Sequence, residues 1–341
     1  MTQPAAGRSE LSLGRKLLFS GVMMVSFLVI AEGAWRVYLY RTGRGFFDDP
    51  HEFISPFFTT FDEPMPVITP QAFYYRNGSV PRDKPADEIR VICFGGSTTV
   101  NFRAGGSYPE RIEARLTADG LGPVRVLNAG GEGYSTAHIL VNLALRNLAA
   151  KPDVITVYEN INDLSAIYFG DGVEPDYANK YETDFYLGLR HRSGVLAEIS
   201  RVSRLFRVTV FSINALRFPE VESNRVTDWS AGIEIFRNNL RSILAIAQTH
   251  GIRVVIATQP ARSDHRHDPG FAAYNDAIRA IAEQEKVPLI DIHANLTNDE
   301  FFLPDAIHNN KEGVAALAEL WYPALRDVVA DERARRNAGG S

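Results

Sequence analysis

The sequence is poor in cysteine and has no excess of positive charge. Only one cysteine, Cys93, occurs among 341 residues, so a disulfide within the chain is impossible and a disulfide-stapled scaffold is excluded. The formal net charge is −5, which gives no indication of a nucleic-acid partner. Cys93 lies in the apolar run VICF, and this predicts a small buried side chain rather than a reactive thiol.

An uncharged apolar run near the start of the chain predicts a membrane anchor. It reads LLFSGVMMVSFLVIA from Leu17 to Ala31, and apolar residues continue past Glu32 to Tyr40. A spanning helix needs about 20 mainly apolar residues. A cleaved signal peptide and a buried core helix are the alternatives, but no clear cleavage site follows the run. Positive charges are nearly balanced around it, and we expect the domain on the periplasmic or extracellular side.

Changes in composition divide the chain into segments. We predict an N-terminal tail (1–16), a transmembrane anchor (17–40), a Pro- and aromatic-rich arm (41–88), one domain (89–330) with an insert at about 168–229, and a disordered tail (331–341). The arm is expected to be extended, because proline at this density disfavours helices and central strands. Arginines recur at every third position in part of the insert. They predict a solvated helix face, with contact to anionic lipid as the alternative.

Short apolar runs alternate with helical segments inside the domain. The strand candidates are IRVICF (89–94), VRVLN (124–128), VITVY (154–158), IRVVIAT (252–258) and PLIDI (288–292). The apolar residues between these runs have helical spacing. Strands that alternate with helices imply parallel crossovers and a sheet covered on both faces. The predicted fold class is therefore α/β, a three-layer α/β/α sandwich preceded by one N-terminal transmembrane helix.

Three loops after predicted strands carry groups suited to nucleophilic catalysis. FGGSTTV places Ser97 after the first strand, although a helix cap or a phosphate-binding loop would also explain this turn. NAGGEGYST follows the second strand, where Gly133 either offers an N–H to an anion or simply forms a tight turn. YENINDL follows the third strand, where Asn162 can offer its side-chain amide and Asp163 can cap or brace the loop.

A fourth loop, LPDAIHNNKEG, carries Asp305 and His308 immediately before the last predicted helix. A lone histidine is usually structural. An aspartate three residues before it can place a carboxylate on the imidazole and set its tautomer. Two glutamates, Glu132 and Glu159, flank the candidate donors Gly133 and Asn162 and are candidates for shaping specificity.

The four loops, taken in order, resemble the blocks of the SGNH (GDSL-like) serine hydrolase family. The resemblance covers about 89–330 and implies that Ser97 is the nucleophile, with Asp305 and His308 completing a triad. It implies a flavodoxin-like parallel sheet, and neither a metal nor an organic cofactor. GGST replaces the eponymous GDSL in the first block.

The same resemblance assigns an oxyanion hole. Its donors would be the backbone of Ser97, the backbone of Gly133 and the side chain of Asn162. Asn160 stands where the family usually has glycine, a departure that affects the local loop conformation but not the assignment of Asn162.

We therefore expect a membrane-anchored serine esterase that acts on O-acyl esters, including O-acetyl esters, of a small molecule or a polysaccharide. The alternatives are a lipid acyl hydrolase or an O-acyltransferase on the same fold. A non-catalytic envelope scaffold is a third possibility, against which the complete set of catalytic residues argues.

Overall fold

The structure is a computed structural model that describes residues 12–41, 72–101, 106–167, 173–177, 180, 199, 202–206, 208–209 and 228–339. Most of the predicted arm, most of the predicted insert and the start of the predicted N-terminal tail lie outside the described residues. The chain divides into two compact units. One is Met1–Asp49 with Phe185–Phe218, and the other is Pro50–Asp184 with Pro219–Ser341.

The first unit contains a single helix, among the described residues, that is long and apolar enough to cross a membrane. This helix, α1, runs for 29 residues over Leu13–Arg41. At 1.5 Å per residue it is about 44 Å long, which exceeds the hydrocarbon thickness of a bilayer. Its large apolar side chains between Leu13 and Ile30 are exposed, as a lipid-facing surface requires.

A glutamate of α1 binds the second stretch of the same unit. The Glu32 carboxylate pairs with Arg36 one turn later, at 2.7 Å. It also accepts the Ser203 hydroxyl at 2.7 Å and the backbone N–H groups of Arg204 and Leu205 at 3.0 and 2.9 Å. The first N–H groups of a helical turn have no partner within the turn. Glu32 therefore serves as a cap supplied by a distant part of the chain.

The second unit alternates strands and helices. Its strands are β1 (Ala72–Tyr75), β2 (Gly78–Pro81), β3 (Ile89–Gly95), β4 (Val124–Asn128), β5 (Val154–Tyr158), β6 (Arg253–Ala257) and β7 (Leu289–Ile290). Its α-helices are α2 (Ser97–Val100), α3 (Tyr108–Ala118), α4 (Thr136–Asn142), α5 (Ile161–Ala166), α6 (Ser230–Thr249), α7 (Ser263–Arg266), α8 (Pro269–Glu285), α9 (Ile292–Asn295) and α10 (Lys311–Gly339). A π-helical turn (Leu143–Asn147) and a 3-10 turn (Leu148–Ala150) extend α4, and a further 3-10 turn covers Asp299–Phe301.

Five of these strands form one parallel sheet in the order β4-β3-β5-β6-β7. This is the flavodoxin-like strand order. Ile92 and Phe94 of β3 pack with α4, α6 and α8, whereas Val91 and Cys93 pack with α3, α9 and α10. The predicted three-layer α/β/α fold is confirmed, and β3 has no exposed residue because both faces of the sheet are covered.

An antiparallel hairpin of β1 and β2 lies where the sequence predicted only an extended arm. Phe73 and Val80 are buried in the core, which anchors both strands. In the turn, the Asn77 side chain donates to the Val126 carbonyl at 2.7 Å and accepts the Asn128 N–H at 2.8 Å. The Val126 carbonyl and the Asn128 N–H belong to β4, an edge strand, and take no part in the hydrogen bonds of the sheet. The hairpin therefore protects that edge.

The C-terminal helix is longer than predicted. The sequence placed a disordered tail at 331–341, whereas α10 continues to Gly339. The reason is tertiary contact: the Arg336 guanidinium donates to the Glu88 carbonyl at 3.0 Å and pairs with Asp153. Arginine and alanine are also strong helix formers.

Trp321 of α10 should be a main source of stability in the second unit. It is fully buried and stacks on Tyr108, with ring centroids 5.3 Å apart and planes inclined by 5°. We expect Trp321→Ala to lower the free energy of unfolding by about 3–5 kcal/mol, measured by urea denaturation followed by circular dichroism. Leu145→Ala, at a side chain that is 71% exposed, is the control and should change it by about 0.5 kcal/mol or less. Equal stability of the two variants would contradict this assignment.

Candidate active site

The turn between β3 and α2 presents Ser97. Ser97 is the first residue of α2, so its backbone N–H lies outside the helical hydrogen-bond ladder. The preceding Gly96 has φ −84°, so left-handed backbone is not what requires glycine here. Crowding requires it: a Cβ at Gly96 would lie within 3.0 Å of both Glu159 Oε2 and Asn162 Nδ2.

The structure brings Ser97, His308 and Asp305 into one hydrogen-bonded chain. Ser97 Oγ lies 2.7 Å from His308 Nε2, although the two residues are 211 positions apart. His308 Nδ1 lies 3.0 Å from Asp305 Oδ2. An imidazole that donates from Nδ1 to the carboxylate leaves Nε2 as an acceptor for the serine hydroxyl. This geometry suits a serine nucleophile with a histidine base.

The loop that carries His308 is organised around the Asp305 carboxylate. Its Oδ1 accepts the backbone N–H groups of Ile307 and His308 at 3.1 and 2.9 Å. Partial burial disfavours the charged form, but these two N–H groups and the His308 ring outweigh it. The pKa of Asp305 therefore lies below its ordinary value, and the carboxyl is ionised at neutral pH.

Asn162 lies at the start of α5 with its amide orientation fixed. Its Nδ2 donates to the Tyr134 carbonyl at 3.0 Å, and its Oδ1 lies 3.3 Å from Lys180 Nζ. Tyr134 follows Gly133, whose φ of +69° is a conformation that favours glycine. The loops of Gly133 and Asn162 therefore adjoin each other beside Ser97.

Asn160, which replaces the family's usual glycine, is accommodated without left-handed backbone. Its φ is −156°. The buried side-chain amide donates to the Phe271 carbonyl of α8 at 3.2 Å. The substitution therefore ties the Asn162 loop to a neighbouring helix.

Three further side chains, whose contacts the sequence did not predict, hold this loop. Glu159 Oε1 accepts the N–H groups of Asn160 and Asn162 at 3.0 and 2.9 Å. Gln259, just after β6, accepts the Ile161 N–H at 2.9 Å and so joins a fourth strand end to the site. Lys180 Nζ donates to the Asn162 carbonyl at 2.9 Å. The position of Gln259 directly after an apolar strand is the sequence feature that could have indicated its place in the site.

Asp163 braces the loop, as the sequence indicated. It is fully buried, and it accepts the Thr136 hydroxyl and the Thr136 N–H, the latter at 3.0 Å. Burial raises the pKa of Asp163 to about 6, in opposition to these hydrogen bonds. Burial, followed by the charge of Asp163, raises the pKa of Glu159 to about 8. The pKa values of Asp163 and Glu159 are therefore raised, whereas the pKa of Asp305 is lowered.

Cys93 is buried in the sheet, as predicted, and burial raises its thiol pKa to about 12. Within the described ranges, no three His, Cys, Asp or Glu side chains are grouped to hold a metal ion.

A sequence comparison decides the family. The GDSL-like Lipase/Acylhydrolase family model matches residues 93–316, well over half of the chain. The chain belongs to this family. It is accordingly an enzyme that hydrolyses ester bonds. No match was found among curated proteins.

Three solved structures of esterases and acylhydrolases are similar to this chain. The acetyl xylan esterase AlAXEase is 18% identical, with 69% of this chain and 99% of that chain covered and a TM-score of 0.45. A lipase/acylhydrolase from Enterococcus faecalis is 18% identical, with 70% and 96% covered and a TM-score of 0.45. The acetylxylan esterase Axe2 from Geobacillus stearothermophilus is 17% identical, with 70% and 94% covered and a TM-score of 0.46. Family membership here rests on the sequence match.

Gly96→Ala should damage the site through Asn162. The added methyl group would meet Asn162 Nδ2 and Glu159 Oε2 at less than 3.0 Å, so the amide must shift. We expect kcat for a p-nitrophenyl ester to fall by about 10²-fold, as on loss of an oxyanion donor, with little change in KM. Gly33→Ala in α1, where nothing lies within 4 Å, is the control and should retain full activity. Wild-type kcat in Gly96→Ala would show that this crowding has no functional consequence.

Proposed function

We propose that Ser97, His308 and Asp305 are the catalytic triad of a serine esterase. The observation that carries the proposal is the continuous chain of contacts, 2.7 Å from Ser97 Oγ to His308 Nε2 and 3.0 Å from His308 Nδ1 to Asp305 Oδ2. The histidine side chain is 25% exposed, which leaves the reacting atoms open to a substrate.

The reaction proceeds by acyl transfer to the serine. His308 Nε2 takes the Ser97 proton as Oγ attacks the ester carbonyl, and Asp305 stabilises the imidazolium. The imidazolium then donates this proton to the departing alcohol oxygen, which leaves an acyl group on Ser97. His308 next takes a proton from water as the water oxygen attacks the acyl carbonyl. It then returns this proton to Ser97 Oγ as the bond to the acyl group breaks, which releases the acid and regenerates the serine.

The oxyanion is stabilised by the backbone N–H of Ser97, the backbone N–H of Gly133 and the Asn162 amide. Two observations support the Ser97 and Asn162 donors, and Gly133 is included by its resemblance to the family's second block. Ser97 begins a helix, so its N–H has no helical partner. Only one of the two Asn162 amide hydrogens is needed for the bond to Tyr134, so the other can serve the substrate.

Labelling with a fluorophosphonate tests the nucleophile. The probe should modify Ser97 in the wild-type protein, located by mass spectrometry of the peptides. Ser97→Ala should lose both labelling and p-nitrophenyl acetate hydrolysis, by about 10⁶-fold for the latter, because no other group can replace the nucleophile. Ser242→Ala, at an exposed serine of α6, is the matched control. Full activity in folded Ser97→Ala would overturn the triad.

The proposed substrates are O-acyl esters, with O-acetyl esters of an envelope polysaccharide tested first. The support is the ester-hydrolase family together with the membrane helix, which would tether the enzyme to an envelope. A series of p-nitrophenyl esters with increasing acyl length separates this proposal from a lipid acyl hydrolase, for which kcat/KM should rise with chain length.

The proposed anchor is α1, retained in the mature protein. The contact of Glu32 with Ser203, Arg204 and Leu205 supports retention, because removal of α1 as a signal peptide would leave these three donors without the carboxylate. The orientation proposed places the catalytic domain on the periplasmic or extracellular side.

Full-length protein should therefore stay in the membrane fraction after salt and carbonate washing, with its first residues intact. A variant that begins at Phe46 should leave that fraction, because it lacks the apolar run. Glu32→Ala should remain in the membrane, since the apolar run rather than Glu32 supplies the membrane affinity. Recovery of a soluble form that lacks its first residues would establish a cleaved signal peptide instead.

A further inference from the structure

One buried carboxyl beside the site has no part in the proposed chemistry. Glu159 is 2% exposed, and its Oε1 accepts the N–H groups of Asn160 and Asn162. No described residue donates to its Oε2. Burial of an unpartnered carboxylate oxygen is costly, and a neutral carboxyl relieves that cost.

Glu159 Oε2 also faces the place where charge develops in the reaction. It crowds Gly96, so it lies next to the peptide group that carries the Ser97 N–H. Asn162 Nδ2 crowds the same point. Two of the three proposed oxyanion donors therefore adjoin this carboxyl.

The charged and titratable groups around Glu159 come from several segments. Asp163, on the same loop, opposes its ionisation, and Lys180, from the predicted insert, favours it. Tyr158 of β5 interacts with it, and Tyr177 interacts with Asp163. Burial is the largest influence, and the carboxyl has a pKa of about 8.

We propose that Glu159 is a positioning residue that sets the alkaline limit of turnover: its neutral carboxyl holds the Asn162 loop, and its ionisation opposes the oxyanion. The inference rests on the triad and oxyanion hole proposed above. In the neutral form, Oε1 still accepts both N–H groups. In the ionised form, a negative charge stands beside the donors that stabilise the transition state, in surroundings with little water to screen it.

The pH dependence of kcat tests this role. Wild-type kcat should fall as pH rises through about 8, because ionisation of Glu159 repels the developing oxyanion. Glu159→Gln keeps the acceptor and the volume without the charge, so it should stay active and lose this alkaline limb. Ser97→Ala measures spontaneous ester hydrolysis at each pH.

Two charge variants should move the limb in opposite directions. Asp163→Asn removes a like charge and should shift the limb to lower pH. Lys180→Met removes an opposite charge and should shift it to higher pH. Glu159→Ala, which also loses the acceptor, should lower kcat by more than about tenfold with little effect on KM, a loss below that of removing an oxyanion donor.

An active Glu159→Gln enzyme with the wild-type alkaline limb would overturn the inference. That result is distinct from failure of the proposed function, in which the fluorophosphonate would not label Ser97 in the wild-type protein. Inactive Glu159→Gln enzyme that still binds substrate with wild-type affinity would also overturn it, because the neutral form is the one assigned to activity.

Discussion

Parallel pairing of β3 with both β4 and β5 is the constraint on which the site depends. Cys93 pairs with Asn128 on one side, and Gly95 pairs with Tyr158 on the other. The three strands therefore end at one edge, and the loops that follow them meet there. Gly131 N donates to the Gly95 carbonyl at 3.0 Å, which joins two of these loops directly. Every donor proposed for the oxyanion comes from one of the three loops.

The close packing of the loops at this edge explains why glycine stands at positions 95 and 96. The local conformation of the turn does not explain it. Local conformation alone would assign the two glycines before Ser97 to a sharp turn of the backbone. In the structure they have no room for a side chain: a Cβ at Gly95 would meet Thr99 and the Tyr158 carbonyl. The requirement comes from the neighbouring strand β5 with its loop and from Thr99 of the following helix, so it depends on packing rather than on local backbone preference.

Much of the fold was predictable from the sequence, because buried parallel strands are continuous apolar runs and crossover helices have their own spacing. The proposed triad could also be predicted from the sequence, because each of its residues lies in a recognisable loop. The hairpin was not, because it depends on Asn77 binding the edge of β4. Lys180 and the extension of α10 to Gly339 likewise depend on contacts between residues far apart in the chain.

The carboxyls of the site differ in charge because their surroundings differ. Asp305 is partly exposed and accepts two backbone N–H groups and the imidazole, so its ionised form is favoured. Glu159 also accepts two backbone N–H groups, but it is fully buried near Asp163, and burial outweighs those bonds. Two backbone donors therefore accompany a lowered pKa at Asp305 and a raised pKa at Glu159. Access to water and the charge of Asp163 decide the difference. This allows the proposed site to hold an ionised partner for the proposed base and a neutral carboxyl beside the proposed oxyanion donors.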